Sequence, residues 1–453
     1  MVPTLDRVRR VMRLLGEPQE SFRVIHITGT NGKTSTARMI DALVRAAGLR
    51  VGLFTSPHLH SFSERISIDG EPISDADFIA AYEDVAPYLA MVDQEMEIDE
   101  SPRLTFFEVL TCIGLAAFAD APVDVAVIEV GLGGTWDATN VADGDVAVIT
   151  PIAVDHANWL GDSPARIAGE KAGIIKDGAR AIFAGQEEEV AAVLLARCVE
   201  VGATFKMEGV DFTLENVTQA VGGQQLDIHG LRGNYPDVFL PVWGRHQAEN
   251  ALVAVAAAET FLPGEEPLAR EVIDVLGSMT APGRLEVVSH NPTVLVDAAH
   301  NPAGAAVLTQ ALTETFSFDE LVGVVSILVD KEIEGIMKGL RPVLDQVVFT
   351  TNTSDRAVPA AELAAIATSL GLWEPRQIRT APNLTEAMAV AAELADSSAT
   401  PGKVGLLATG SVVTAAEVRS LYAAPPVTAT AKVATIEPER EAGLDLDAGP
   451  GFS

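Results

Sequence analysis

The segment Val24-Ile25-His26-Ile27-Thr28-Gly29-Thr30-Asn31-Gly32-Lys33-Thr34-Ser35-Thr36 decides how the chain is read. Its β-branched apolar run predicts a buried strand, and the glycines after it predict a turn opening onto a helix over about residues 33–47. A turn of this kind lets backbone N–H groups curl around phosphate oxygens, while the helix N-terminus adds its dipole and a lysine reaches the β- and γ-phosphates. The segment therefore predicts a nucleoside triphosphate site, with Gly29 and Gly32 shaping the turn and Lys33 reaching the phosphates. A standard phosphate loop would place its first glycine at position 27, where this chain has Ile27, so the spacing is the compact Gly-Thr-Asn-Gly-Lys-Thr form. A plain glycine turn before a helix is the alternative for so short a motif.

With 453 residues the chain is long enough for two or three domains. Its 48% hydrophobic content, without an uninterrupted apolar run of bilayer length or a signal-peptide pattern, predicts a cytoplasmic globular protein that does not enter a membrane. The formal charge of −32, from 63 acidic and 31 basic residues, repels polyanions and argues against a nucleic-acid partner. An anionic ligand must then be met by the few cations present, which singles out Lys33, Lys171, Arg245 and Arg284. The two cysteines, Cys112 and Cys198, are too few for a disulfide framework or a thiolate metal site.

Apolar strands at 24–28, 51–54, 124–130 and 146–150 alternate with helical patterns at 34–47, 75–88 and 105–119, the logic of a parallel α/β sheet. Residues 179–241 carry short strands and glycine breakers and predict an antiparallel flap, followed by a helix over 247–261. After the Pro282-Gly283 pair a second α/β unit begins, with strands at 285–288, 293–297, 321–327, 347–350 and 404–408. Helices near 303–316, 333–344, 360–370 and 384–395 separate them. The expected organisation is an ATP-binding domain over 1–280, a smaller Rossmann-like domain over 281–423, and a disordered tail over 424–453.

Ligands in open α/β sheets gather at strand ends, and several here are polar. One strand leads into Thr55-Ser56-Pro57-His58-Leu59, another ends at Glu129 before Gly131–Asn140, and a third leads into Asp155-His156. A carboxylate at the end of an apolar strand needs a cation nearby, so Ser56, Glu129 and His156 form a candidate hard-metal set. Taken singly, Ser56 reads as a turn cap, Glu129 as a partner of Lys33, and His156 as an ordinary polar residue.

The chain resembles the bacterial folylpolyglutamate synthase and dihydrofolate synthase family of the Mur ligase superfamily. The resemblance rests on Gly29–Ser35, Thr55–Leu59 with Glu64-Arg65-Ile66, Thr105-Phe106-Phe107-Glu108, Glu129–Asn140, and Asp155-His156 with Leu160-Gly161. It continues through Glu170-Lys171-Ala172-Gly173-Ile174-Ile175-Lys176, Gly244-Arg245-His246-Gln247 with Asn250, and Pro282-Gly283-Arg284-Leu285-Glu286. Asp297-Ala298-Ala299-His300-Asn301-Pro302 and Thr409-Gly410-Ser411 complete it. The family pattern implies that Thr30, Asn31, Gly32, Lys33 and Thr34 contact ATP together with Asn250, Arg284 and Asp297, and that Ser56, Glu129 and His156 hold two magnesium ions. It also implies that Lys171 is carbamylated, the alternatives being a bare lysine on phosphate or one paired with Glu170. Thr105, Phe106, Phe107, Glu108, Trp136, Asp137 and Ala138 would hold the pterin part of the acceptor, although periodicity alone reads Phe106 and Phe107 as helix core. His300 and Ser411, with Asp330-Lys331, would lie on the glutamate side.

The implied activity is ATP-dependent amide formation, with L-glutamate added to dihydropteroate and to reduced folates through an acyl phosphate. Lys33, Lys171, His156 and His300 are the expected catalytic residues of a monomeric enzyme. Two departures from the family stand out: Thr34-Ser35 where Gly-Ser is frequent, and Thr135-Trp136 where an Arg-Leu pair is usual, which removes an arginine from the pterin side. The alternatives are a muramyl peptide ligase, against which only 28 residues precede Gly29, and a nucleotide-binding regulator without catalysis.

Overall fold

The computed structural model describes residues 4–423, and the expected tail over 424–453 lies outside the described residues. Two open sheets organise them. The first has eight strands in the spatial order Glu71–Pro72, Ile66–Ile68, Val51–Phe54, Val125–Glu129, Arg23–Thr28, Val146–Ile149, Arg180–Phe183 and Thr204–Met207. The last six are mutually parallel, and the two short strands at one edge pair antiparallel. Strand Val125–Glu129 is inserted between the first two long strands of the chain. The loop after Arg23–Thr28 thus stands where the winding reverses, the place at which an open α/β sheet binds its ligand.

Helices cover both faces because the central strands are apolar on both sides. Helices Lys33–Ala46 and Arg245–Phe261 pack on one face with Ile25, Ile27 and Val127, while Asp6–Leu14, Asp75–Ile98 and Phe106–Asp120 cover the other with Val24, Ala126 and Ile128. Helix Asp75–Ile98 runs ten residues beyond the predicted end at 88, through Pro87, since Leu89 and Val92 continue its buried stripe.

The flap predicted over 179–241 is corrected by the structure. Arg180–Phe183 and Thr204–Met207 are parallel strands of the main sheet joined by helix Glu188–Glu200, and only Thr213–Ala220, Gly223–His229 and Asn234–Leu240 form an antiparallel sheet. The glycine breakers belong to that later part, while Ala181, Ile182 and Phe183 are buried like any central strand.

The second sheet runs Glu286–His290, Thr293–Val296, Val404–Thr409, Glu320–Val325, Gln346–Phe349, Ile378–Thr380 and is parallel except at its first pair. The last of these strands, and helix Val412–Tyr422, lie outside the elements predicted from the sequence.

Glu108 shows how the first helices are tied together. Thr105 caps helix Phe106–Asp120 and Glu108 returns a bond to the Thr105 N–H at 2.6 Å, while Arg7 Nη2 reaches Glu108 Oε1 at 2.8 Å with both side chains buried. Arg7→Ala leaves this carboxylate without its cation and is expected to cost about 3–5 kcal/mol. A fall in the denaturant midpoint, partly recovered by the Arg7→Ala/Glu108→Ala double variant, checks this.

Candidate active site

A cavity of about 600 Å³ lies between the two sheets, a size suited to a small-molecule ligand. Its floor is the glycine turn. Gly29 sits so close to Thr150 that a Cβ would lie 1.9 Å from the Thr150 hydroxyl, and Gly32, at φ +87°, leaves room for Asn250, whose Oδ1 would be 2.4 Å from a Cβ. Thr30 N–H donates to the Pro151 carbonyl at 3.0 Å and the Thr30 hydroxyl donates to Ala153 O at 2.9 Å, pinning the loop to the neighbouring strand end. Helix Lys33–Ala46 begins directly behind Gly32.

Three lysines approach this floor. Lys33 Nζ folds back to the carbonyls of Gly29 and Thr30 at 3.1 and 3.0 Å, and burial lowers its pKa against the attraction of Glu129 and Asp155. Lys171 Nζ donates to Gly29 O at 2.7 Å, and burial, helped by the charge of Lys33, lowers it to about 7. Its bond is to a loop carbonyl and not to Glu170. Lys331 Nζ bonds Asp155 at 3.0 Å.

Glu129 is 1% exposed. Both of its oxygens accept from the Thr34 hydroxyl, at 2.9 and 3.0 Å, and Oε2 also accepts from the Ser56 N–H at 3.0 Å. Burial raises its pKa, with Lys33 acting the other way through space rather than through a bond. Thr34, Ser56 and Glu129 thus set hard oxygen donors around one buried carboxylate, a chemistry that fits magnesium. His156 borders the same cavity, but its ring lies 3.3 Å from Lys331 Nζ, and burial lowers its pKa to about 4, so it is neutral at pH 7.

Segments around the second sheet meet the first at Asp155 and Asn31. Asp155 accepts from Lys331 Nζ and from Asn301 Nδ2 at 3.1 Å, and His300 Nε2 lies 3.4 Å away. Asn301 Nδ2 also donates to Asn31 Oδ1 at 3.2 Å. Burial works to raise the Asp155 pKa, yet the His300 bond and the charges of His156 and Lys331 outweigh it and hold the carboxyl well below the usual range. Arg284 and Asp297 line the cavity too, Asp297 shaping the turn by accepting from Leu285 N at 2.8 Å and Ala299 N at 2.7 Å.

The loop residues Thr30 to Thr34 therefore share one cavity with Ser56, Glu129, His156, Lys171, Asn250, Arg284, Asp297 and His300. Outside its lining stand Thr105, Phe106, Phe107, Glu108, Trp136, Asp137, Ala138 and Ser411. Ser411 is buried and bonded to Asn352 at 3.0 Å, Asp137 caps its own short helix, and Glu108 is closed off by Arg7. Trp136 donates its backbone N–H to Glu170 at 3.3 Å, and Ala138 is buried beside it. Phe107 packs on Gly131 and Phe54, but Phe106 is 54% exposed and meets Phe62 edge-on at 5.3 Å. Sequence reasoning passed over Asp155 and Asn301 as site residues; the one available signal was an aspartate next to His156 at a strand end.

Unfolded lysine holds its proton to about pH 10.4, whereas folded Lys171 releases it near 7. Between those values the unfolded chain binds more protons, so the destabilisation from Lys171 is greatest at low pH and fades as pH rises. The melting temperature of the wild type relative to Lys171→Met is expected to climb between about pH 7 and 9.5. A difference independent of pH would sink this assignment.

Comparison with known proteins places this geometry among ligases. The Mur ligase middle domain matches residues 76–258 and the Mur ligase glutamate ligase domain matches 283–410. The dihydrofolate synthase/folylpolyglutamate synthase of Mycobacterium tuberculosis is 47% identical over 444 residues, covering 94% of this chain and 91% of that protein. The folylpolyglutamate synthase of Lacticaseibacillus casei is 36% identical, with 80% and 84% covered. Among solved structures, the M. tuberculosis folylpolyglutamate synthase complexed with ADP superposes with a TM-score of 0.89 at 48% identity, covering 94% and 96% of the two chains. Escherichia coli FolC in complex with DHPP and ADP gives 0.80 at 30% identity, with 93% of each chain covered.

Proposed function

This chain belongs to the dihydrofolate synthase/folylpolyglutamate synthase family of ATP-dependent Mur-type ligases, and we propose that it adds L-glutamate both to dihydropteroate and to reduced folates. The observation that carries the reading is the single cavity in which the glycine turn, Lys33 and the Thr34–Glu129 pair face Arg284, Asp297 and His300 of the second sheet. A carboxylate is a poor electrophile, so its oxygen first takes the γ-phosphoryl group of ATP, giving an acyl phosphate and ADP. The glutamate amine then attacks the acyl carbon, loses a proton, and expels inorganic phosphate.

Thr30, Asn31, Gly32, Lys33 and Thr34 bind the phosphates in this scheme, and Asn250, Arg284 and Asp297 complete the nucleotide site. Lys33 releases its two loop carbonyls to follow the transferring charge. Thr34, Ser56 and Glu129 would hold one magnesium ion, and His156 with a carbamylated Lys171 a second. Bound magnesium supplies charge neutralisation at the transferring phosphoryl group. The pKa of Lys171 near 7 supports carbamylation, which requires the neutral amine. His300 is held through Nδ1 at the Ala298 carbonyl, 2.8 Å away, which supports its role with Lys331 in orienting the incoming glutamate. The exposed ring of Phe106, with Arg65 5.7 Å above it, supports a platform for the flat pterin, and the family pattern assigns Phe107, Thr105, Trp136, Asp137 and Ala138 to the same acceptor side. Glu108, paired with Arg7, then supports the Thr105 end of helix Phe106–Asp120, and Ser411, bonded to Asn352, belongs to the glutamate side of the same reading.

The same reading divides the chain near residue 281 into an ATP-binding domain and a smaller ligase domain, and has it act as a cytoplasmic monomer. Among the described residues no helix is long and apolar enough to cross a membrane. Phosphate release and product mass, followed with ATP, magnesium and L-glutamate, should show one glutamate added to dihydropteroate and to tetrahydrofolate. Lys33→Ala should slow both reactions by about a thousandfold with the melting curve retained, and retained turnover would remove Lys33 from the mechanism.

A further inference from the structure

Beside the main cavity is a recess of about 30 Å³ lined by Thr34, Ser35, Arg38, Leu59, Pro282 and Arg284 among others. That volume holds two waters, or the two oxygens of one carboxylate. Thr34, Ser35, Arg284 and Val412 border both spaces, so the recess opens beside the phosphate floor. Arg38 lies one helical turn beyond Thr34, which puts the two side chains on one face of helix Lys33–Ala46.

Neither the Arg38 nor the Arg284 guanidinium makes a hydrogen bond or ion pair among the described residues. Burial lowers the pKa of Arg38, Arg284 lowers it further, and Glu129 and Glu64 act on it only through space. Glu64 also lines the recess, but its oxygens accept from the N–H groups of Leu59, His60 and Ser61 at 2.8, 2.9 and 2.9 Å. Two like charges are thus crowded into a half-buried space without an anion bonded to them, in a protein whose net charge is −32. A carboxylate relieves that repulsion and matches the planar fork of a guanidinium.

We propose that this recess is a subsite for the non-reacting carboxylate of an acceptor that already ends in glutamate, with Arg38 as the residue that reads it. The inference rests on the proposed function. Dihydropteroate has a single carboxylate, the one that reacts, and therefore nothing to place beside Arg38. A folate has two, and one can occupy the recess while the other meets the γ-phosphate near Thr34.

The test is steady-state kinetics of the full chain and of Arg38→Gln and Arg38→Lys with each acceptor. Loss of one charge-assisted pair is expected to raise the KM for tetrahydrofolate by about ten- to a hundredfold in Arg38→Gln, with a change under about threefold for dihydropteroate. Arg38→Lys should recover part of the loss, and the KM for ATP should stay the same with both acceptors. Equal losses with both acceptors, or a raised KM for ATP, would overturn the subsite and give Arg38 to the nucleotide. Should Arg38→Gln fail to fold, Arg38→Lys carries the comparison through its smaller split. Equilibrium binding of each acceptor to the variants reads the same difference where only one is turned over. Failure of the wild type to glutamylate either acceptor would instead reject the proposed function, a separate result.

Discussion

Asp155 is the constraint on which the site depends. It stands beyond the end of strand Val146–Ile149, and apart from the His156 N–H its partners His300, Asn301 and Lys331 come from segments around the second sheet. A lone aspartate removed from water would protonate, and here the His300 bond and the charge of Lys331 keep it ionised. The cavity between the sheets is closed around that charge. Asn301 extends the same contact to Asn31, so the phosphate loop is held by the clasp as well as by its own strand.

The protein as a whole is strongly acidic, but the charge around the glycine turn is arranged differently. Lys33, Lys171 and Lys331 converge on a small volume, and burial depresses the first two. Cations that have lost hydration respond strongly to an anion, because the low local dielectric which made them costly also strengthens attraction. Lys33 is parked on two loop carbonyls, bonds that the oxygen of an anionic ligand can replace, and Lys171 on one. Glu129 balances this cluster without a direct ion pair, its oxygens being turned to Thr34 and Ser56.

Most of the first layer was legible because each part leaves a local mark. The glycine turn reads from its own spacing, and Glu129 from the cost of a carboxylate at an apolar strand end. The second sheet reads from the same alternation of strand and helix. Asp155 was legible only as a neighbour of His156, since the residues that give it meaning are far along the chain. Glu108 shows the opposite case. Its motif position pointed to a ligand, but Arg7, more than a hundred residues earlier, takes up its charge. The parallel strands 180–183 and 204–207 were hidden by composition, because glycine-rich turns nearby dominate the pattern over that stretch.

The inserted strand Val125–Glu129 also bears on how the chain is assembled. The phosphate loop is among the first segments made, but the carbonyl of Pro151 that accepts its Thr30 N–H, and Thr150 against which Gly29 is fitted, come more than a hundred residues later. The first two long strands do not pair with each other, and the place between them is filled only by Val125–Glu129. Pairings of such wide sequence separation close late, because loop entropy is lost before contacts form. The motif that announces itself earliest in the sequence is therefore among the last to acquire its shape.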